Sequence, residues 1–144
     1  MNYMDEAYKQ ALKALNIDEV PVGAVIVKEG KIIARAYNKK ETTNDPLGHC
    51  EILAIKKASK KLNSWRLIDC DLYVTLEPCL MCMGAIIHSR IKNVYYGAGD
   101  SRYGASDILK YKNFNHVPNM IDLKQEKCSL ILKDYFKGKR IKNS

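Results

Sequence analysis

The chain has 144 residues, 47% of them hydrophobic and 28% charged, enough apolar material for one compact domain spanning 1–144 and too little length to expect a second. No apolar run approaches the roughly 18 to 20 residues that span a bilayer, and the acidic start MNYMDEAYKQ lacks the pattern of a secretory signal, so a cytoplasmic protein with no membrane partner is expected. Five cysteines argue against a disulfide framework, and a formal charge of +8 suits an acidic partner.

Met4, Ala7, Tyr8, Ala11, Leu12 and Leu15 recur at three- and four-residue spacing and predict an amphipathic opening helix. VPVGAVIV (20–27), the turn signal Lys28-Glu29-Gly30 and KIIARAYN (31–38) read as a β-hairpin whose first strand is buried on both faces. After the polar stretch KKETTNDPLG (39–48) come a helical pattern from about Cys50 to Leu62, a strand DLYVTL (71–76), a helix after Pro78 and a strand IKNVYYG (91–97). The stretch 98–125 is broken by glycine and asparagine, with a weak helical pattern at 106–111 and a last short strand near 120–123. A basic helix over about 125–142 closes the chain. From Lys124 to Ser144 there are seven Lys and Arg against Glu126 and Asp134, which fits either a solvated face or a surface for phosphates. Strand, helix and strand in succession imply right-handed crossovers, parallel neighbouring strands and helices on both faces. The expected fold is a three-layer α/β/α sandwich around a mixed sheet of about five strands.

Two short segments carry chemistry: His49-Cys50-Glu51 and Pro78-Cys79-Leu80-Met81-Cys82, each opening a predicted helix. With Pro78 at the first helical position, Cys79 and Cys82 lie one turn apart on one face, where the positive helix end favours thiolates. His49 supplies a third, neutral ligand. Zinc held by three protein ligands keeps a position for water and lowers its pKa toward about 7, and Glu51 is the natural proton shuttle. Residues two apart in a helix point nearly opposite ways, so His49 and Glu51 share a site only if His49 has non-helical torsions. Pro46-Leu47-Gly48 suits such a boundary. The same residues admit other readings: a redox dithiol, which lacks its usual neighbours here, or a structural zinc site closed by one of Cys50, Cys70, Cys128, His88 or His116. Cys50 reads as pocket lining or core, Cys70 and Cys128 as small buried hydrophobes, and His88 as a helix-end residue.

H-x-E followed by P-C-x-x-C is the signature of the zinc-dependent nucleobase deaminases, so the mechanism above is that family's known one. Beyond the signature, VPVGAVIV, NDPLGHCEILA and WRLIDCDLYVTLEPCLMCMGAIIHSRI closely resemble the bacterial tRNA-specific adenosine deaminases of the cytidine and deoxycytidylate deaminase superfamily, over most of the chain. The resemblance implies one zinc per chain on His49, Cys79 and Cys82, Glu51 as proton shuttle, and hydrolytic conversion of a wobble adenosine in a tRNA anticodon to inosine. It implies that Asn38 reads the edge of the flipped base, that Asp100 in GAGDSRYGA contacts the substrate backbone, and that His116 in NFNH contacts the anticodon loop. It also implies a homodimer with tRNA bound across the subunits, with Lys137, Lys139, Arg140 and Lys142 of the tail meeting phosphate. Cys50 stands where the family usually has Ala, and Leu47 and Gly48 also depart from its commonest residues. Deamination of a free base or nucleotide such as guanine or deoxycytidylate is the alternative activity. A zinc-stabilised RNA-binding module without catalysis is a further alternative, against which the presence of Glu51 speaks.

Overall fold

The computed structural model describes residues 2–142, with the side chains of Ile141 and Lys142 outside the described set; the expected phosphate contact of Lys142 therefore lies outside the described residues. Helix α1 (Tyr3–Asn16) is capped by Asn2, whose side chain accepts the Asp5 N–H at 3.2 Å, and Asp5 and Glu6 complement its positive end. Its buried face is Met4, Ala7, Gln10, Ala11 and Ala14. Leu12 and Leu15, expected on that stripe, are 39% and 38% exposed. The reason is steric: α1 rests on Gly23, where a Cβ would lie 2.3 Å from the Ala7 carbonyl oxygen and 2.4 Å from the Ala11 nitrogen. Only small side chains permit that approach, so alanine size, not leucine hydrophobicity, chooses the face.

Strands β1 (Gly23–Lys28) and β2 (Lys31–Tyr37) form the expected hairpin. Its two turn residues, Glu29 at φ 50° and Gly30 at φ 74°, are both left-handed, as a tight hairpin turn matched to strand twist requires. Then follow α2 (Cys50–Leu62), β3 (Cys70–Val74), α3 (Leu80–Ser89), β4 (Asn93–Tyr96), a 3₁₀ turn (Ser106–Lys110), β5 (Asn119–Asp122) and α4 (Glu126–Lys142). Helices α2 and α3 each end on a left-handed residue, Asn63 and Arg90.

The sheet order is β2-β1-β3-β4-β5. β1 is antiparallel to both its neighbours, and β3, β4 and β5 run parallel. Parallel neighbours thus hold for β3 and β4, whereas the crossover through α2 carries the chain past β1 to its far edge. The hairpin already occupies one edge of β1, and the other edge of this strand, with Ala24, Val25 and Ile26 fully buried, is closed by β3.

Alternation along the strands separates the layers. Ala24, Ile26, Leu72, Val74 and Val94 pack with Ala54, Ala58, Met83 and Ile86 of α2 and α3. Gly23 turns the other way, toward α1, and the Asp5–Lys127 ion pair joins α1 to α4. The result is the three-layer α/β/α sandwich around a mixed five-stranded sheet expected from the sequence. Among the described residues no helix is long and apolar enough to cross a membrane. Helices α2 and α3 both begin at the end of the sheet where β3 stops, and that juxtaposition builds the site.

Candidate metal centre and active site

His49 is the N-cap of α2 with extended torsions, φ −80° and ψ 142°, which removes the conflict with Glu51 two residues on. Cys79 is likewise the N-cap of α3, φ −75° and ψ 176°, and its carbonyl accepts the Met83 N–H at 2.9 Å. Pro78 therefore precedes the cap and does not occupy the first helical position expected for it. Its carbonyl instead accepts the Ala105 N–H at 2.9 Å. The shift helps the site, because the side chains of an N-cap and of the third helical residue converge, and those residues are Cys79 and Cys82.

The ligand atoms of His49, Cys79 and Cys82 lie within 4.8 Å of one another. Nδ1 of His49 is 3.6 Å from Cys79 Sγ and 3.7 Å from Cys82 Sγ. Tetrahedral zinc, with bonds of about 2.0 Å to nitrogen and 2.3 Å to sulfur, separates N and S ligands by about 3.6 Å. The three side chains fit that ion. Among the described residues no fourth His, Cys, Asp or Glu joins the group. Cys50 is buried in the core and turned to Glu51; Cys70 and Cys128 are buried as expected, and His88 stacks on Trp65 with ring centroids 5.4 Å apart.

Glu51 is only 4% exposed. Its Oε1 accepts the Cys50 thiol at 3.2 Å, and burial raises its pKa above the ordinary carboxylate value. Hydrogen bonding with Cys82, joined by His49 and outweighing burial, holds the Cys79 thiol at about 4. Cys82 moves the other way, its proton retained by bonding to Cys79 and by burial. His49 is raised by its bond to Cys79. Two thiols, one of them acidified, beside an imidazole are the donor set a soft divalent cation takes.

A family model for MafB19-like deaminases matches residues 1–140. The chain belongs to this deaminase family. The deaminase is 44% identical, over 97% of its own length and 90% of the relative's, to the tRNA-specific adenosine deaminase of Bacillus subtilis (strain 168). A solved structure from studies of A-to-I editing by tRNA:A34 deaminases at the wobble position of transfer RNA is 40% identical, with a TM-score of 0.86 over 90% of the deaminase and 98% of that chain. The guanine deaminase of Bacillus subtilis is 33% identical, with a TM-score of 0.67 over 95% of both chains.

Around the centre of the deaminase, Asn38 follows β2 and its Oδ1 accepts the Cys50 N–H at 2.9 Å, so its amide borders the His49 cap. Asp100 lies in the loop after β4. Its Oδ1 accepts the N–H groups of Arg102 and Tyr103, both at 3.1 Å, and closes that loop. The loop is drawn to the start of α3 by a residue outside both motifs, Glu77. The Glu77 carboxylate accepts the Asp100 N–H at 3.0 Å, the Ser106 N–H at 3.2 Å and the Ser106 hydroxyl at 2.5 Å. A carboxylate between an apolar strand and Pro78 was its visible signal. A second such residue, Glu19, is 1% exposed and accepts the N–H groups of Glu41 at 3.0 Å and Thr42 at 2.5 Å. It pins the loop that runs from Asn38 to His49.

His116 is not brought to the cluster. Its Nε2 donates to the Ile91 carbonyl at 2.6 Å, before β4 begins and at the opposite end of the parallel strands from Cys79. In the tail, Lys137 and Arg140 are exposed, and Lys139 pairs with Asp18 at 2.5 Å.

Proposed function

We propose that the deaminase hydrolyses the exocyclic amine of the wobble adenosine in a tRNA anticodon, taking up water and releasing ammonia to leave inosine. Likeness to tRNA-specific adenosine deaminases over nearly the whole chain carries this reading. The chain acts as one domain of residues 1–144, in the cytoplasm, as a homodimer. One zinc ion on His49, Cys79 and Cys82, when bound, supplies a Lewis acid that acidifies water.

The chain's own residues do the rest. Glu51 moves one proton of water to the ring nitrogen, where it stays in inosine, and then carries water's second proton to the amine, which departs as ammonia. Burial raises the pKa of this carboxyl, which strengthens it as a proton acceptor relative to an exposed carboxylate. Asn38, with its oxygen engaged by Cys50, keeps its amide N–H groups for an acceptor on the base edge. The base must leave its stack to reach so enclosed a carboxylate, which suits a single-stranded anticodon loop. Asp100 is assigned to the RNA backbone, and Lys137, Lys139 and Arg140 to phosphates; His116, bonded to Ile91 at the far end of β4, is not assigned to the anticodon loop.

Likeness to a guanine deaminase at 33% identity favours a free purine as the second reading. Purified protein offered an anticodon stem-loop with a wobble adenosine, free guanine and deoxycytidylate separates the two. Inosine in the stem-loop with no ammonia from the small molecules is expected; ammonia from guanine alone would overturn the RNA assignment.

A further inference from the structure

A cleft of about 500 Å³ lies between the edge strand β2 and helix α2, with Leu53 in its floor and Tyr37, Lys39, Lys56, Lys57 and Lys60 around it. Nothing in the deamination chemistry uses it. Tyr37 and Lys39 flank Asn38, so the cleft opens at the rim of the active site. From Leu53 to Lys60 it follows about 10 Å of helix at 1.5 Å per residue, room for a short stretch of one sugar–phosphate backbone.

Its charge is uncompensated. The ion pairs among the described residues are Lys9–Glu6, Arg35–Glu6, Lys127–Asp5 and Lys139–Asp18, and none involves a cleft lysine. Lys60 lies four residues after Lys56 and three after Lys57 on one helix, a like-charge arrangement that disfavours the free state. Lys57 donates to the Arg35 carbonyl at 2.7 Å, and its pKa is lowered by burial and then by the charges of Lys39 and Lys13. Lys39 sits over the Tyr37 ring, 4.8 Å from its centroid. Cations crowded along a groove without carboxylates call for an external polyanion.

We propose that this cleft is a second phosphate-binding surface, holding the sugar–phosphate backbone of the RNA strand that flanks the nucleotide in the active site. The inference rests on the RNA reading above. It places backbone contacts on the β2–α2 side of the site, in addition to the basic tail.

The test uses the full-length, metal-loaded protein with Lys39, Lys56 and Lys60 all changed to Gln, leaving Lys57 on its carbonyl. A second variant changes the same three to Arg, and thermal melting checks that both are folded. Binding of an anticodon stem-loop RNA is measured by anisotropy across a salt series, alongside sedimentation. The Gln variant is expected to bind at least about tenfold more weakly at low salt, with a slope of log K against log salt shallower by about 2, and the Arg variant to bind as wild type. Wild-type affinity and slope in the folded Gln variant would overturn the proposal. So would a shift of that variant toward a smaller species with its salt slope unchanged, because the face would then be a contact between copies. Guanine deamination without stem-loop deamination would defeat the functional reading separately, and the cleft would still be decided by the salt slopes.

Discussion

The side-chain oxygen of Asn38 accepts the backbone N–H of Cys50 at 2.9 Å, tying the end of β2 to the first turn of α2. His49, the cap of that helix, offers it no side-chain bond, so Asn38 caps it from another element. Asn38→Asp keeps the acceptor and should melt close to wild type, whereas Asn38→Ala leaves the N–H unpaired at a cost of about 1 kcal/mol. Both should lose deamination, because both lack the amide N–H groups. Thermal melts paired with activity assays check this, and full activity in the Asp variant would remove Asn38 from base reading.

Glu51→Gln preserves shape and volume beside Cys50 while removing the carboxyl proposed to move protons. Turnover should fall by at least about 10²-fold, with metal content near one ion per chain by elemental analysis. Undiminished turnover would count against the proton-shuttle assignment.

Cys79→Ser and Cys82→Ser should each lose most of the bound metal, since each removes one corner of a three-ligand set. Chelation of the wild type should abolish activity and lower the melting temperature, and added zinc should restore both. Activity that survives complete chelation would contradict a metal-dependent reaction.

Glu77→Ala deletes the acceptor of three bonds from the loop of Asp100 and Ser106. About 2 kcal/mol of stability should be lost, and, with Asp100 assigned to the RNA backbone, KM for the RNA should rise more than kcat falls. Glu77→Gln should recover part of both. A pure kcat defect in the Ala variant would instead place Glu77 in the chemical step.

Glu19 opposes burial with backbone bonds from Glu41 and Thr42, and their net effect lowers its pKa below 4.5. With the folded value below the unfolded one, the unfolded chain binds more protons between them, so stability rises with pH across that window. The contribution is present above about pH 4.5 and is lost as pH falls through the lower folded value. Glu19→Gln should therefore be less stable than wild type at neutral pH, by about 1 to 2 kcal/mol, and the gap should close in acid. Denaturant melts at both pH values measure it; a gap that persists unchanged in acid would show that the charge is not what holds the loop.

The local elements and the ligand set were legible because they are written at short range. Apolar periodicity marks α1 and the hairpin, the two-residue turn ends in Gly30, and Cys79 and Cys82 are close in any helical start. Even the torsional demand on His49 follows from its spacing to Glu51. Asn38 and Asp100 came from resemblance alone, since a single polar residue at a strand end or in a loop carries no spacing; the tail lysines were visible as a charge excess, which by itself fits a solvated face equally well.

What the sequence determined by itself was a candidate soft-cation set with a carboxylate close to it in the chain, and the order of strands and helices that brackets them. The tertiary structure alone decided that Cys79 caps α3, that α1 buries its alanines against Gly23, and that β3 pairs with β1 across the hairpin. It also decided that Glu19, Glu77 and the lysines of the β2–α2 cleft border the site. The physical reason is the same in each case: close approach, capping and charge crowding depend on which distant segments meet, and one-dimensional spacing does not contain that information.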